Sequence, residues 1–158
     1  MKFGVVPTFL TVTAALSGLI LGAYLQQQES QEAGAAGPTV ACDPAAATGC
    51  PLNLAGQTAL LRFTPQPEAL RPFQAELVVN EPIAGALLDF DMAGMEMGVN
   101  EVELQPAAAR QKPAQGQRWL GKVVLPVCSS GRRDWLARLE IDTETQGRQV
   151  VTIPFELQ

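Results

Sequence analysis

The feature that most restricts the fold is a period-two pattern of apolar side chains, which begins near Gln57 and continues to the end of the chain. Successive side chains of a β-strand point to opposite faces, so this alternation is typical of strands buried on one face only. Turn residues such as Thr64-Pro65-Gln66-Pro67 separate the runs. We predict seven strands, in the runs 59–63, 75–79, 86–92, 95–104, 119–125, 135–141 and 151–157.

No stretch after residue 26 carries an apolar stripe with the 3.6-residue period of a helix. Short strands with frequent turns therefore predict an all-β domain over residues 57–158, an antiparallel β-sandwich with an immunoglobulin-like layout. Both tryptophans are expected in its core. Pro154 interrupts the last run, and because proline has no N–H to donate to a neighbouring strand, it predicts an edge strand or a bulge there.

The first 25 residues differ from this pattern. Residues 3–25 contain no charged side chain, and Lys2 is the one basic residue before them. A segment of this length can cross a hydrocarbon core about 30 Å thick, and the positive-inside bias leaves the rest of the chain outside the cytoplasm. We predict a transmembrane anchor over residues 1–25. The alternative is a cleaved signal peptide, but the nearest small-x-small cleavage site, Ala33-Gly34-Ala35, lies several polar residues beyond the apolar run.

Residues 26–56 are rich in Ala, Gly and Gln without sustained periodicity, which predicts a flexible linker. Two of the three cysteines, Cys42 and Cys50, flank a short loop in this range. In an oxidising compartment such a pair predicts a disulfide, which would leave Cys128 free. The alternatives are a free or metal-binding pair, and a pairing that includes Cys128.

The charge and the residue inventory exclude several functions. The chain has a net charge of −5 and no concentrated basic face, which argues against nucleic acid as a partner. It has no histidine, so a Ser-His-Asp triad and the common zinc sites are excluded, and a catalytic thiol would lack its usual base. A thiol redox role for Cys42 and Cys50 lacks a Cys-x-x-Cys motif. We predict a protein that is not an enzyme.

Apart from the initiator, all methionines lie within six residues, at Met92, Met95 and Met97. Thioether sulfur is a soft ligand that favours Cu(I) and needs no deprotonation. Met95 and Met97 would share one face of a strand, and a bulge or turn at Gly94 could bring Met92 toward them. The alternative is that the methionines are core filling, a role for which their flexible side chains are suited.

Cys128 follows a strand and precedes Ser129-Ser130-Gly131, so it lies at the start of a turn. It would be a fourth soft ligand if the fold brings it near Gly94. The alternative is a small buried thiol, or the disulfide partner of a linker cysteine.

The run Gly94-Met95-Glu96-Met97-Gly98, with the predicted anchor and β-domain, resembles the FixH/YtkA-like group of small bacterial envelope proteins. The segment 119–128 and Trp135 are similar to the late strands of such domains. The resemblance implies a single-pass protein of the bacterial inner membrane, with a periplasmic immunoglobulin-like domain, linked to copper supply for haem–copper oxidases. It implicates Met95 and Met97 directly. Members of the group often have a histidine near the methionines, and its absence here leaves either an all-sulfur Cu(I) site or no site.

The leading hypothesis is therefore a membrane-tethered Cu(I)-binding or Cu(I)-delivery accessory protein for respiratory oxidase assembly. Its ligands would be Met92, Met95, Met97 and Cys128, and its partners the copper ion, the membrane, and an oxidase or copper-delivery proteins. The rival hypothesis is a metal-free structural or interaction module that docks onto a membrane complex. Exposed, convergent sulfurs favour the first hypothesis, and sulfurs buried among Leu and Val favour the second.

Overall fold

The computed structural model describes residues 37–54, 56–95, 97–108 and 116–158. These residues form an all-β structure of nine strands in two antiparallel sheets. The predicted anchor and the first part of the predicted linker lie outside the described residues. Within the described ranges no helix is long and apolar enough to cross a membrane.

The nine strands follow one another along the chain with short connections. They are β1 Cys50–Leu54, β2 Gln57–Thr64, β3 Phe73–Val79, β4 Ile83–Asp91, β5 Glu101–Glu103, β6 Gln105–Pro106, β7 Gln117–Val123, β8 Asp134–Thr143 and β9 Gly147–Glu156. The first sheet has the order β1-β2-β3-β7-β6, and the second has the order β5-β4-β8-β9. All strand pairs in the two sheets are antiparallel.

Six of the seven predicted runs coincide with long strands, but the predicted strand over residues 95–104 is wrong in its first half. Only Glu101–Glu103 pairs with β4 there. Gly98 has a positive φ of 73°, and the Asn100 side chain donates hydrogen bonds to the carbonyls of Met97 and Gly98. These local bonds favour a loop over a sheet ladder. β1 and β6 were not predicted, and β1 lies inside the range predicted as linker.

The core is formed by the inward-facing residues of both sheets, as the alternation predicts. β2 and β3 alternate between buried and more exposed positions along their whole length, and β8 does so from Asp134 to Asp142. Both tryptophans are buried, with Trp135 1% and Trp119 8% exposed. Four phenylalanine rings fill the end of the core where β2, β4 and β9 finish, with centroids 5.2–6.3 Å apart between contacting rings; they are Phe63, Phe73, Phe90 and Phe155.

Each open side of the two-sheet structure is closed by a segment that passes from one sheet to the other. On one side β5 belongs to the second sheet and β6 to the first, and buried Leu104 lies between them. Its side chain occupies the space that a Cβ at Gly121 would need, 2.5 Å away. This close approach explains why β7 carries a glycine at that position.

The other side is closed by residues 38–50. The Val40 N–H donates to the Thr152 carbonyl of β9, and the Thr152 N–H donates to the Pro38 carbonyl, both at 2.9 Å. The chain then crosses to β1, and the predicted disulfide between Cys42 and Cys50 is confirmed. β9 is the outer strand of its sheet, as predicted from Pro154. Pro154 is two positions after Thr152, whose N–H points to Pro38, so the N–H that Pro154 lacks would also face away from β8.

Candidate metal site

Two loops from distant parts of the sequence meet at the end of the sandwich above the phenylalanine cluster. The first, residues 92–100, follows β4, and the second, residues 124–133, precedes β8. β4 and β8 are antiparallel neighbours, with Asp91 opposite Leu136, so the end of one lies beside the start of the other. The sheet pairing therefore brings the methionine-rich run next to the loop that contains Cys128.

The methionine-rich run begins with a tight turn. The Met95 N–H donates to the Met92 carbonyl at 3.1 Å, and Gly94 occupies the third position with a φ of 73°. A positive φ at that position is the requirement of a type II turn, for which glycine is favoured. The turn reverses the chain, so Met92 and Met95 become backbone partners instead of successive strand residues.

The two methionines of this turn have different surroundings. Met92 is 1% exposed and belongs to the core, whereas Met95 is only partly buried and packs against the edge of that core. Met97 is also partly buried against the core. Met95 and Met97 are two positions apart, which predicts that they share one face of a strand. In the structure they lie in a loop, so this alternation of faces does not apply.

Cys128 begins a second turn. The Gly131 N–H donates to the Cys128 carbonyl at 3.0 Å, and the Cys128 side chain turns inward, 5% exposed. Its sulfur lies 3.0 Å from the Ser130 hydroxyl. Hydrogen bonding from the Ser130 side chain, helped by the Ser130 backbone N–H, lowers the pKa of the Cys128 thiol, and nearby Arg132 acts in the same direction. The thiolate is the form of cysteine that binds metals.

The decisive geometric feature is a sulfur–sulfur contact between the two loops. The Cys128 Sγ lies 3.5 Å from the Met95 Sδ, although the two residues are 33 positions apart in the sequence. When the thiol donates to Met95, the Ser130 hydroxyl is free to donate to the same sulfur. Of the four predicted ligands, the structure therefore brings two, Met95 and Cys128, into contact. Met97 is partly buried two residues after Met95, and Met92 is buried in the core.

A second connection between the loops was not predicted from the sequence. Arg132 donates from Nη1 to the Ala93 carbonyl at 3.1 Å, and Ala93 lies inside the methionine turn. The same guanidinium donates from Nε to Asp134 Oδ1 at 3.0 Å and pairs through Nη2 with the other carboxylate oxygen. Arg132-Arg133 is a visible basic pair in the sequence, but its partner at Ala93 depends on the pairing of β4 with β8.

A cleft of about 250 Å³ opens beside Cys128. It is lined by the turn itself, by Arg132 and Arg133, by Ala69 of the β2–β3 loop and by the residues after β9. Exposed Val127, with 58% of its surface accessible, lies at its edge. The cleft reaches the turn that Cys128 begins, while the Cys128 residue itself is only 5% exposed.

Oxygen and nitrogen ligands are not clustered in the same way. Within residues 37–54, 56–95, 97–108 and 116–158, no group of three or more His, Cys, Asp or Glu side chains could hold a metal ion.

Comparison with known proteins finds no match. No family model, no curated protein and no solved structure matches this chain.

Proposed function

We propose that the chain is a membrane-tethered, non-enzymatic protein of the bacterial periplasmic face that binds Cu(I) or delivers it during respiratory oxidase assembly. The contact between the Cys128 and Met95 sulfurs, 3.5 Å apart, is the observation that supports this proposal. In the proposal residues 1–25 are the inner-membrane anchor, and the two-sheet domain has an immunoglobulin-like layout.

The chemistry of the pair suits a soft monovalent ion. A thiolate with a lowered pKa supplies one negative charge, and the thioether of Met95 adds a second soft donor that stays available at any pH. Methionine also survives an oxidising compartment without forming a disulfide. Hard ions such as Mg²⁺ and Ca²⁺ prefer oxygen ligands and would gain little here.

The spacing of the two sulfurs is close to what a shared ion requires. Metal–sulfur bonds of roughly 2.3 Å place two sulfurs on one ion about 3.8–4.6 Å apart, depending on the angle between the bonds. The present separation of 3.5 Å is slightly shorter. Because both sulfurs lie in loops, the site needs to open by only about 1 Å or less to admit an ion.

Met97 is the third ligand in this proposal, and Met92 is the least accessible of the predicted set. Met97 lies two residues after Met95 and is partly buried against the same core. Met92 is 1% exposed within the core, and its sulfur reaches an ion only if the core rearranges. A site with two or three sulfurs suits delivery, because exchange with a partner's ligands needs an incomplete coordination shell.

The test is a competition titration of the full chain with Cu(I) against a chromogenic Cu(I) chelator. We expect Met95→Leu and Cys128→Ser each to weaken Cu(I) binding at least tenfold. Met92→Leu, which keeps an apolar side chain of similar volume in the core, is the matched control and is expected to retain affinity. Equal affinity in a Met92/Met95/Met97 triple-Leu variant would end the proposal.

The burial of Met92 and Cys128, which are 1% and 5% exposed, favours the second candidate, a metal-free interaction module that docks onto a membrane complex. In that case the methionines serve packing, and the exposed side chains of this end, such as Val99 at 86% and Val127 at 58%, are contact surface. Oxidase activity of the source organism separates the candidates. The interaction module predicts that a Met95→Leu/Cys128→Ser chain supports full activity while deletion of the chain does not; copper delivery predicts loss in both.

A further inference from the structure

Arg132 occupies the junction between the two loops that carry the sulfur pair. Its guanidinium contacts the methionine turn through the Ala93 carbonyl and its own loop end through the Asp134 carboxylate. Ala93 is two residues from Met95, and Arg132 is four residues from Cys128. The side chain therefore joins the two backbone segments whose separation determines the distance between the sulfurs.

The shape of a guanidinium is what allows this double contact. Its Nε and Nη2 groups face one carboxylate together, and Nη1 on the other edge is left for the Ala93 carbonyl. Arginine presents its donors in a fixed planar fork, so fixing one edge on Asp134 also fixes the direction of the other. The ammonium of lysine has no such fork and can satisfy one of the two partners well.

We infer that Arg132, oriented by Asp134, is the positioning residue of this site: it holds the Met92–Met95 turn against the Cys128 loop and so sets the sulfur–sulfur distance. The role in metal binding rests on the proposed function. The positioning itself is a property of the metal-free chain and is testable without copper.

Orienting groups of this kind act on metal affinity without touching the ion. Loss of an outer partner that fixes a ligand typically lowers metal affinity by about 10- to 100-fold. We expect Arg132→Ala to fall in that range. Arg71→Ala is the matched control, because Arg71 also pairs with a carboxylate, that of Glu68, at the same end of the fold, and it contacts neither loop through this pair.

The experiment measures two quantities on the full chain. The first is the nuclear Overhauser effect between the methyl group of Met95 and the Cβ protons of Cys128 in the metal-free protein, with ¹³C-methyl methionine. The second is the Cu(I) affinity from chelator competition. We expect Arg132→Ala to lose the Overhauser effect and to bind Cu(I) at least tenfold more weakly, Arg132→Lys to recover part of both, and Arg71→Ala to match the unaltered chain.

Asp134→Asn keeps the inference testable if Arg132→Ala fails to fold, because it leaves the guanidinium in place and removes its orienting charge. We expect a weakened Overhauser effect in this variant. An unchanged Overhauser effect in folded Arg132→Ala, or in Asp134→Asn if the first does not fold, overturns the inference. If the unaltered chain binds no Cu(I) while Arg132→Ala still loses the Overhauser effect, the proposed function fails and the positioning role stands.

Discussion

The molecule uses sulfur in two regions, and the two regions differ in what the sulfur can still do. Cys42 and Cys50 are eight positions apart and form a disulfide in the segment that runs from the edge of β9 into β1, residues 38–50. Cys128 and Met95 are 33 positions apart and are in contact without a covalent bond. A methionine cannot form a disulfide, so Cys128 keeps its thiol although it touches another sulfur. The sulfurs of Cys42 and Cys50 are thus used in a covalent cross-link, whereas Cys128 retains a thiol.

The same contrast appears on a smaller scale inside the methionine turn. Met92 and Met95 are joined by a backbone hydrogen bond, yet Met92 belongs to the core and Met95 faces the second loop. A single turn with glycine at its third position therefore places one methionine in the core and the other at the candidate site.

The strongest test of the contrast within the turn is truncation of Met92. Met92→Ala leaves a cavity in the core and is expected to lower the free energy of unfolding by about 2–5 kcal/mol. Met95→Leu keeps the volume of a partly buried side chain and is expected to cost less than about 1.5 kcal/mol. Urea denaturation followed by tryptophan fluorescence measures both. Equal costs for the two variants would remove the distinction.

The disulfide region should affect stability and leave copper binding alone. The Cys42→Ser/Cys50→Ser chain loses the constraint on a short loop of the unfolded state, which predicts a decrease of about 2–3 kcal/mol in the free energy of unfolding. Cu(I) affinity of the folded protein is expected to stay within a factor of two or so of the unaltered chain. A tenfold loss of affinity would show that the two sulfur regions are coupled.

The smallest effect concerns the acidity of Cys128. Hydrogen bonding from Ser130 lowers the pKa of the Cys128 thiol, because it stabilises the thiolate. Ser130→Ala is therefore expected to raise that pKa, so the pH at which alkylation by iodoacetamide reaches half its maximal rate moves upward. The midpoint of the pH profile, rather than the rate at one pH, separates this effect from a change in access. A midpoint that stays in place or moves downward contradicts the assigned hydrogen bond.

The parts of the fold that follow from local pattern were predictable. The alternation in β2, β3 and β8 requires one buried face, and two cysteines that flank a short loop are typical of a disulfide. β6 was missed because two residues show no periodicity, and β1 because its five residues include a proline and follow an Ala- and Gly-rich stretch typical of a linker. The loop over residues 95–100 was mistaken for a strand because apolar Met95, Met97 and Val99 alternate there, while the glycines and Asn100 favour local hydrogen bonds.

The candidate site was predictable in composition but not in arrangement. The clustering of the methionines and the position of Cys128 at a turn are visible in the sequence. Which sulfurs meet depends on β4 lying beside β8, a pairing between residues about 50 positions apart that no local pattern encodes. The same nonlocal pairing gives Arg132 its contact with Ala93, and that contact was therefore missed.

X-ray absorption spectroscopy of the full chain with an equimolar amount of Cu(I) tests directly whether sulfur atoms bind the ion. The proposed site predicts a first shell of sulfur alone at roughly 2.3 Å, with fewer sulfurs in Met95→Leu and in Cys128→Ser and no change in Met92→Leu. A first shell of nitrogen or oxygen ligands, or a sulfur shell that both site variants leave intact, would contradict it.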